Sequence, residues 1–201
     1  GLVVRPNSPV YTAEQLATRL VGVPFFFGTH ALTLRMLEGF LTRDEIKVCQ
    51  APRGSRFRLA SVMKGEIEAT PLTEPYLTLA EKKGCRIVVS GSLHGSEVAS
   101  NNVDAETYLK FNRAVCEAVR RINNDKREYM QYFIDHHKSD PEIAALRADE
   151  LRESRIVVTD PAPIPADELE RTATWIKSWG MLVETEQATN LVNLDVQSSA
   201  H

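Results

Sequence analysis

Residues 65–86, which read GEIEATPLTEPYLTLAEKKGCR, decide the fold that this sequence predicts. A short apolar run at 67–72 is followed by Glu74 and Pro75, and then by an amphipathic segment that ends at Gly84. This order is typical of a buried strand that leads into a helix, with proline in the first turn of the helix. The junction places Glu74 at the carboxyl end of the strand. Ligands of open α/β sheets bind at that edge.

Glu74 has two interpretations. Its carboxylate can accept hydrogen bonds from the free N–H groups of the helix that follows it, as a cap. It can also face a cleft and contact a ligand. Thr73 is a weaker candidate for a polar ligand contact, and its alternative is burial in the protein.

The strand and helix order recurs through the first half of the chain. Four strands that alternate with three helices predict right-handed crossovers. They form a mainly parallel sheet with helices on both faces, which is an α/β fold. In the helix after Ser55, we expect four apolar residues to face the core. They are Phe57, Leu59, Ala60 and Met63.

Residues 90–103 are polar and contain glycine and serine, so they break this periodicity. We interpret them as a hinge that returns the chain to another lobe. Asp104 is a suitable N-cap for a long helix with a one-sided apolar stripe. The sequence therefore predicts an α/β lobe at 1–92 and a hinge with a mainly helical part at 93–201.

Gly28, Thr29 and His30 form the best candidate for contact with an anion. A strand that ends in Gly-Thr and opens a helix presents free N–H groups and the positive end of the helix dipole. Thr29 adds a hydroxyl group. The alternative is a turn at Gly28, a cap at Thr29 and an exposed His30.

Three further residues carry weaker hypotheses. Arg53 lies in a loop before a helix and could bind an anionic ligand, because guanidinium groups bind carboxylate, sulfonate or phosphate in pairs of hydrogen bonds. Its alternative is a solvated surface group. His94, in the hinge, could line a cleft or be an ordinary loop residue. Cys49 could act as a nucleophile with His30 or His94 as its base, but a small buried thiol is the simpler interpretation.

The stretch 65–86 resembles the substrate-binding proteins of ABC importers for sulfonates, nitrate and thiamine precursors, the NMT1 or SsuA/TauA-like family. The family pattern is G-x-I-D-A-x-x-x-x-E-P-x-x-x-x-A-x-x-x-G, and Glu68 replaces its aspartate. The matching residues are Gly65, Ile67, Ala69, Glu74, Pro75, Ala80 and Gly84. The resemblance covers residues 2–122.

The resemblance implies a type II periplasmic-binding fold, with C-terminal helices that belong to the other lobe. It implies that Gly28, Thr29 and His30 touch the charged group of a small organic ligand in a cleft between lobes. In members with amine-bearing ligands, a carboxylate at the place of Glu74 pairs with the ammonium. The expected function is that of a solute receptor that catalyses no reaction, binds no cofactor and is recognised by an importer permease. An enzyme similar to pyrimidine synthases or a desulfinase, or a cytoplasmic carrier or sensor, is the alternative on this fold.

Composition agrees with an ordinary globular protein. The chain has 201 residues, 43% of them hydrophobic, and a net charge of −3, so no basic surplus indicates nucleic acid. No apolar run is long enough to insert into a membrane. Family members carry a leading β/α half, so we expect a fragment, a truncated form or a shortened relative. An upstream signal peptide would make the protein periplasmic or lipid-anchored, and its absence would make it cytoplasmic.

Overall fold

A computed structural model describes residues 1–93, 95, 99–100, 102–183, 192–193 and 196. The strands are β1 (Leu2–Val4), β2 (Leu20–Val23), β3 (Lys47–Gln50), β4 (Ala69–Pro71) and β5 (Arg86–Val89). The helices are α1 (Gly28–Leu37), α2 (Ser55–Lys64), α3 (Tyr76–Lys82), α4 (Ala105–Asn124), α5 (Lys126–His136), α6 (Pro141–Ala144) and α7 (Ala166–Ser178). Short 3₁₀ turns occupy Glu14–Leu16, Ala148–Glu150 and Glu153–Arg155.

The described strands form one sheet in the order β3-β2-β4-β1-β5. β2 is parallel to β3 and β4, whereas β1 is antiparallel to β4 and β5. All strands except β1 therefore run in one direction. The predicted fold class, an α/β fold with a mainly parallel sheet, is confirmed.

The connections leave the sheet in two directions. From β2 the chain moves outward through α1 to β3, and from β3 it returns through α2 to β4. Right-handed crossovers then place α1 on one face, and α2 and α3 on the other. Contact between α2 and α3 agrees with this arrangement. Covered on both faces, β1 and β4 are buried along their whole length.

Close packing in the centre of the sheet depends on Gly22 in β2. A Cβ atom there would lie 2.4 Å from Cδ1 of Ile67 and 3.0 Å from the Cβ of Ala51. Those distances are too short for any side chain, so glycine lets Ile67 pack directly onto the strand.

The prediction for the inner face of α2 was wrong for three of its four residues. Phe57 and Met63 are 59% and 39% exposed, and Ala60 is exposed as well. The helix instead buries a mixed face that consists of Arg58, Leu59, Ser61 and Val62. Adjacent helical residues point about 100° apart, so burial of the arginine turned the phenylalanine outward.

The chain divides into two compact units, and the first consists of Gly1–His94 and Arg127–Ile156. Residues 127–156 were predicted to belong with the C-terminal helices, whereas they pack onto α3. Ion pairs hold this contact: Lys82 Nζ lies 2.7 Å from Glu150 Oε1, and Arg152 Nη2 lies 3.0 Å from Glu81 Oε1. The predicted assignment of 1–92 and 93–201 to two lobes stays a prediction.

The second unit consists of Gly95–Lys126 and Val157–His201. Its longest described helix is α4, and Asp104 caps that helix as predicted, because Oδ1 accepts a hydrogen bond from the N–H of Thr107 at 2.7 Å. Within the described part of the chain, every helix is too short or too polar to cross a bilayer.

Candidate ligand-binding site

The carboxyl ends of β2 and β4 form a topological switch point. These strands are parallel neighbours, but the chain leaves β2 toward β3 and leaves β4 toward β5, on the opposite side. In open α/β sheets, such divergence at the carboxyl edge is where the crevice that binds ligands usually lies. Thr29 follows β2 and Glu74 follows β4, so both leave the sheet at this edge.

The N-terminus of α1 presents free hydrogen-bond donors at the crevice. Phe27 is the N-cap residue, and its carbonyl accepts the N–H groups of His30 and Ala31. The N–H groups of Gly28 and Thr29 meet no acceptor among the residues that the structure describes. Free donors and the positive end of the helix dipole suit an anion.

His30 holds the turn that precedes α1. The residue is 6% exposed, and its Nδ1 accepts the N–H of Phe26 at 3.3 Å. Burial lowers the pKa of His30, which favours the neutral imidazole that can accept this bond. Phe26 has a φ of 64°, an unusual value for a bulky residue. The exposed-histidine alternative was wrong, and His30 supports the turn that positions Gly28 and Thr29.

Arg53 brings the N-terminus of α2 beside that of α1. Its guanidinium carbon lies 5.0 Å from the ring centroid of Phe27, which is a cation–π distance. Gly54 is the N-cap residue of α2, and its φ of 92° favours glycine. No described side chain caps α2, so two uncapped helix N-termini and a guanidinium lie together. The structure thus joins Gly28, Thr29 and Arg53, which are separate in the sequence.

Exposed aromatic rings border these donors. Phe26 is 71% exposed, Phe27 46% and Phe57 59%. Phe57 lies against Gly54, because its Cδ2 is 3.3 Å from the position that a Cβ of Gly54 would occupy. Together these rings provide an apolar surface next to a positive region, as in sites that bind an organic group with a charged end.

Glu74 acts as a cap and as part of a buried ion pair. Its side chain is 4% exposed, and Oε2 accepts the N–H of Thr78 in the first turn of α3 at 3.1 Å. Oε1 accepts a hydrogen bond from Nη1 of Arg155 at 3.0 Å. Both oxygens are engaged within the protein, which supports the cap interpretation. The Glu74–Pro75 peptide bond is cis. Thr73 is exposed and stays a candidate contact.

Two other hypotheses have different outcomes. His94 lies outside the described residues. Cys49 packs against the apolar cluster of Ala51, Val62 and Ile67, and burial raises the pKa of its thiol. A catalytic cysteine needs a lowered pKa, so this environment supports the structural interpretation of Cys49.

Arg58 was not among the residues predicted to form the site. This α2 residue is 5% exposed, and its Nε and Nη2 each donate to the carbonyl of Pro71 at 3.3 Å. Nη2 also donates to the Oγ of Ser55 at 3.2 Å. Its helical spacing could have predicted this burial, because Arg58 lies one turn after Ser55 and one turn before the buried Val62.

These features define a class of fold, an open α/β sheet with a switch point beside helix N-termini. Solved structures share the fold. The alkanesulfonate-binding protein SsuA from Xanthomonas axonopodis pv. citri, bound to MOPS, aligns with a TM-score of 0.71 and 13% identity over 96% of this chain and 68% of that chain. The periplasmic aliphatic sulphonate binding protein SsuA from Escherichia coli gives 0.63 and 17% over 98% and 69%.

The desulfurization enzyme DSZB also aligns, with a TM-score of 0.53 and 14% identity over 100% of this chain and 75% of that chain. No family model matches the chain, and no curated protein matches its sequence significantly. At these identities the similarity is one of fold. The predicted type II periplasmic-binding fold is therefore confirmed, and membership of the NMT1-like group stays a prediction.

Proposed function

We propose that this chain binds a small organic anion at the carboxyl edge of its sheet, as the solute receptor of an ABC importer. One observation carries the proposal, which is the meeting of two uncapped helix N-termini beside Arg53 at the switch point. Convergent N–H donors with a guanidinium are typical of anion sites. The shared fold with sulfonate-binding proteins supports the same ligand class.

The charges at this edge favour an anion over a cation. A cationic ligand of the thiamine-precursor type would need a free carboxylate, and the Glu74 carboxylate is already bonded to Thr78 and Arg155. Arg53 is exposed and forms no ion pair with the described part of the chain. Among the predicted ligands, sulfonate and nitrate suit this excess of positive charge.

The exposed rings favour an anion with an organic body. Phe27 lies against Arg53, and Phe57 lies against Gly54. Burying apolar ligand surface against these rings contributes about 25 cal/mol per Å². We therefore favour a sulfonate with an alkyl or aryl group over nitrate, which has no apolar part.

The test is calorimetric titration of the chain with a panel of ions. We expect ethanesulfonate and benzenesulfonate to bind, nitrate to bind more weakly, and tetramethylammonium not to bind. Mass spectrometry after incubation should recover the sulfonates unchanged, because a receptor does no chemistry. Tight binding of the cation alone would contradict the anion assignment. Benzenesulfinate tests the desulfinase-like alternative, which would be favoured if water cleaved its C–S bond to release benzene and sulfite.

A further inference from the structure

Arg58 has an unusual environment for an arginine. Its side chain is buried beneath the N-terminus of α2, and its hydrogen bonds go to neutral acceptors, the carbonyl of Pro71 and the hydroxyl of Ser55. It forms no salt bridge with the residues covered by the structure, unlike the less buried Arg155, which lies within 3.0 Å of both Glu74 and Glu81. A buried charge without a counter-charge is unfavourable, so the site is prepared to receive an anion.

The guanidinium lies at the switch-point crevice. Extending the register of Val21 with Ala69 places Pro71 level with Val23, the last residue of β2. The N–H of Leu72 donates to the carbonyl of Gly1, on the side of β1. Because the N–H and C=O of one trans peptide unit point in opposite directions, the Pro71 carbonyl faces β2. Arg58 therefore reaches the gap between the ends of β2 and β4.

One nitrogen of the guanidinium remains available. Nε and Nη2 make the hydrogen bonds described above, whereas Nη1 has no partner in the described chain and is not among its fully buried unpartnered atoms. Nη1 can therefore donate to a group that enters the crevice. The two bonds to Pro71 and the bond to Ser55 hold the planar group in place for it.

We propose that Arg58 binds the anionic head group of the ligand through Nη1 and supplies the buried positive charge that selects anions at this site. Arg53 then acts at the surface and Arg58 at the floor of the crevice. The inference rests on the proposed function and adds a ligand contact that the helix N-termini alone do not provide. A zwitterion should bind more weakly than a simple anion, because its ammonium group is repelled by the same buried charge.

The test compares the wild type with Arg58→Met, Arg58→Lys and a control, Arg43→Gln. Arg43 is exposed and ion-paired with Glu38 beyond the other end of α1. The probe is ethanesulfonate, titrated by calorimetry. Arg58→Met removes the charge at similar length, and we expect its affinity to fall about 10- to 100-fold, the usual effect of a charged hydrogen bond. Arg58→Lys keeps the charge and should lose less affinity than Arg58→Met. Arg43→Gln should bind ethanesulfonate as tightly as the wild type does.

Arginine side-chain NMR of the wild type provides a second measurement if Arg58→Met does not fold. The Arg58 guanidinium signal, assigned through Arg58→Lys, should shift on addition of ethanesulfonate, and the Arg43 signal should not. A wild type that binds ethanesulfonate while the Arg58 signal stays unchanged overturns the role of Arg58 and leaves the proposed function standing. Equal affinity of the wild type and Arg58→Met for ethanesulfonate also overturns the role of Arg58 and leaves the proposed function standing. A wild type that binds no anion overturns both.

Discussion

The guanidinium of Arg53 stacks on the ring of Phe27 at 5.0 Å, although 26 positions separate the two residues in the chain. This contact joins the N-termini of α1 and α2 at the carboxyl edge of the sheet. It also holds the Arg53 charge next to the free N–H groups of Gly28 and Thr29.

Replacing Arg53 by glutamine should weaken binding of ethanesulfonate about three- to tenfold, since an exposed charge contributes less than a buried one. The melting temperature of the free protein should stay unchanged, because Arg53 is exposed. Calorimetry and thermal denaturation measure both quantities. Arg56→Gln is the matched control, because Arg56 lies in the same segment but pairs with Asp140 at 3.5 Å. Equal loss of affinity in the two variants would mean that general charge, and not the position of Arg53, drives binding.

Phe57 should affect ligand preference without affecting stability. It is 59% exposed, so Phe57→Ala removes little core packing. We expect the variant to bind benzenesulfonate several-fold more weakly while its affinity for ethanesulfonate changes less, because stacking with an aryl ring contributes roughly 0.5–1.5 kcal/mol. Phe40→Ala, at a residue that is 48% exposed beyond the far end of α1, should change neither affinity. The deciding quantity is the ratio of the dissociation constants for benzenesulfonate and ethanesulfonate. An unchanged ratio would show that Phe57 does not contact the ligand.

Glu74→Gln should lower stability and leave affinity unchanged. The substitution leaves Arg155 with only Glu81 and weakens the cap on Thr78, which we expect to cost about 1–3 kcal/mol. For a chain of this size the melting temperature should fall by roughly 3–10 °C. Glu81→Gln is the control, since Arg155 then keeps its bond to the more deeply buried Glu74 and the fall should be smaller. Abolished binding with an unchanged melting temperature would instead make Glu74 a ligand contact.

His30 should make stability depend on pH. Burial lowers its pKa from the ordinary value of 6.5, so between the lowered pKa and 6.5 the unfolded state binds the proton and the folded state does not. The free energy of unfolding should therefore decrease as pH falls below 6.5 and level off above it. His137 has a pKa that burial also lowers and adds in the same direction. Urea denaturation from pH 5 to pH 8 should show a shallower decrease for His30→Asn, whose amide oxygen can still accept the N–H of Phe26. An equal slope in both proteins would show that His30 is not responsible.

Much of the architecture could be predicted because it depends on local sequence. Apolar runs of strand length, glycine and proline breaks and the stretch 65–86 predict the alternation of strands and helices. Since parallel strands end at one edge, the same pattern places Thr29 and Glu74 on the same rim. Asp104 was recognisable as a cap because a cap involves only neighbouring residues.

The tertiary structure alone decided the roles of the charged residues. Glu74 meets Arg155 81 positions away, and the buried Arg58 finds an acceptor in Pro71 at the end of another strand. Hydrophobic periodicity assigns arginine to solvent, so it predicted the wrong face of α2. Packing pairs charges and hydrogen-bond partners that are distant in the chain. Local sequence patterns determine strands, helices and caps, and they do not contain the information about those distant pairs.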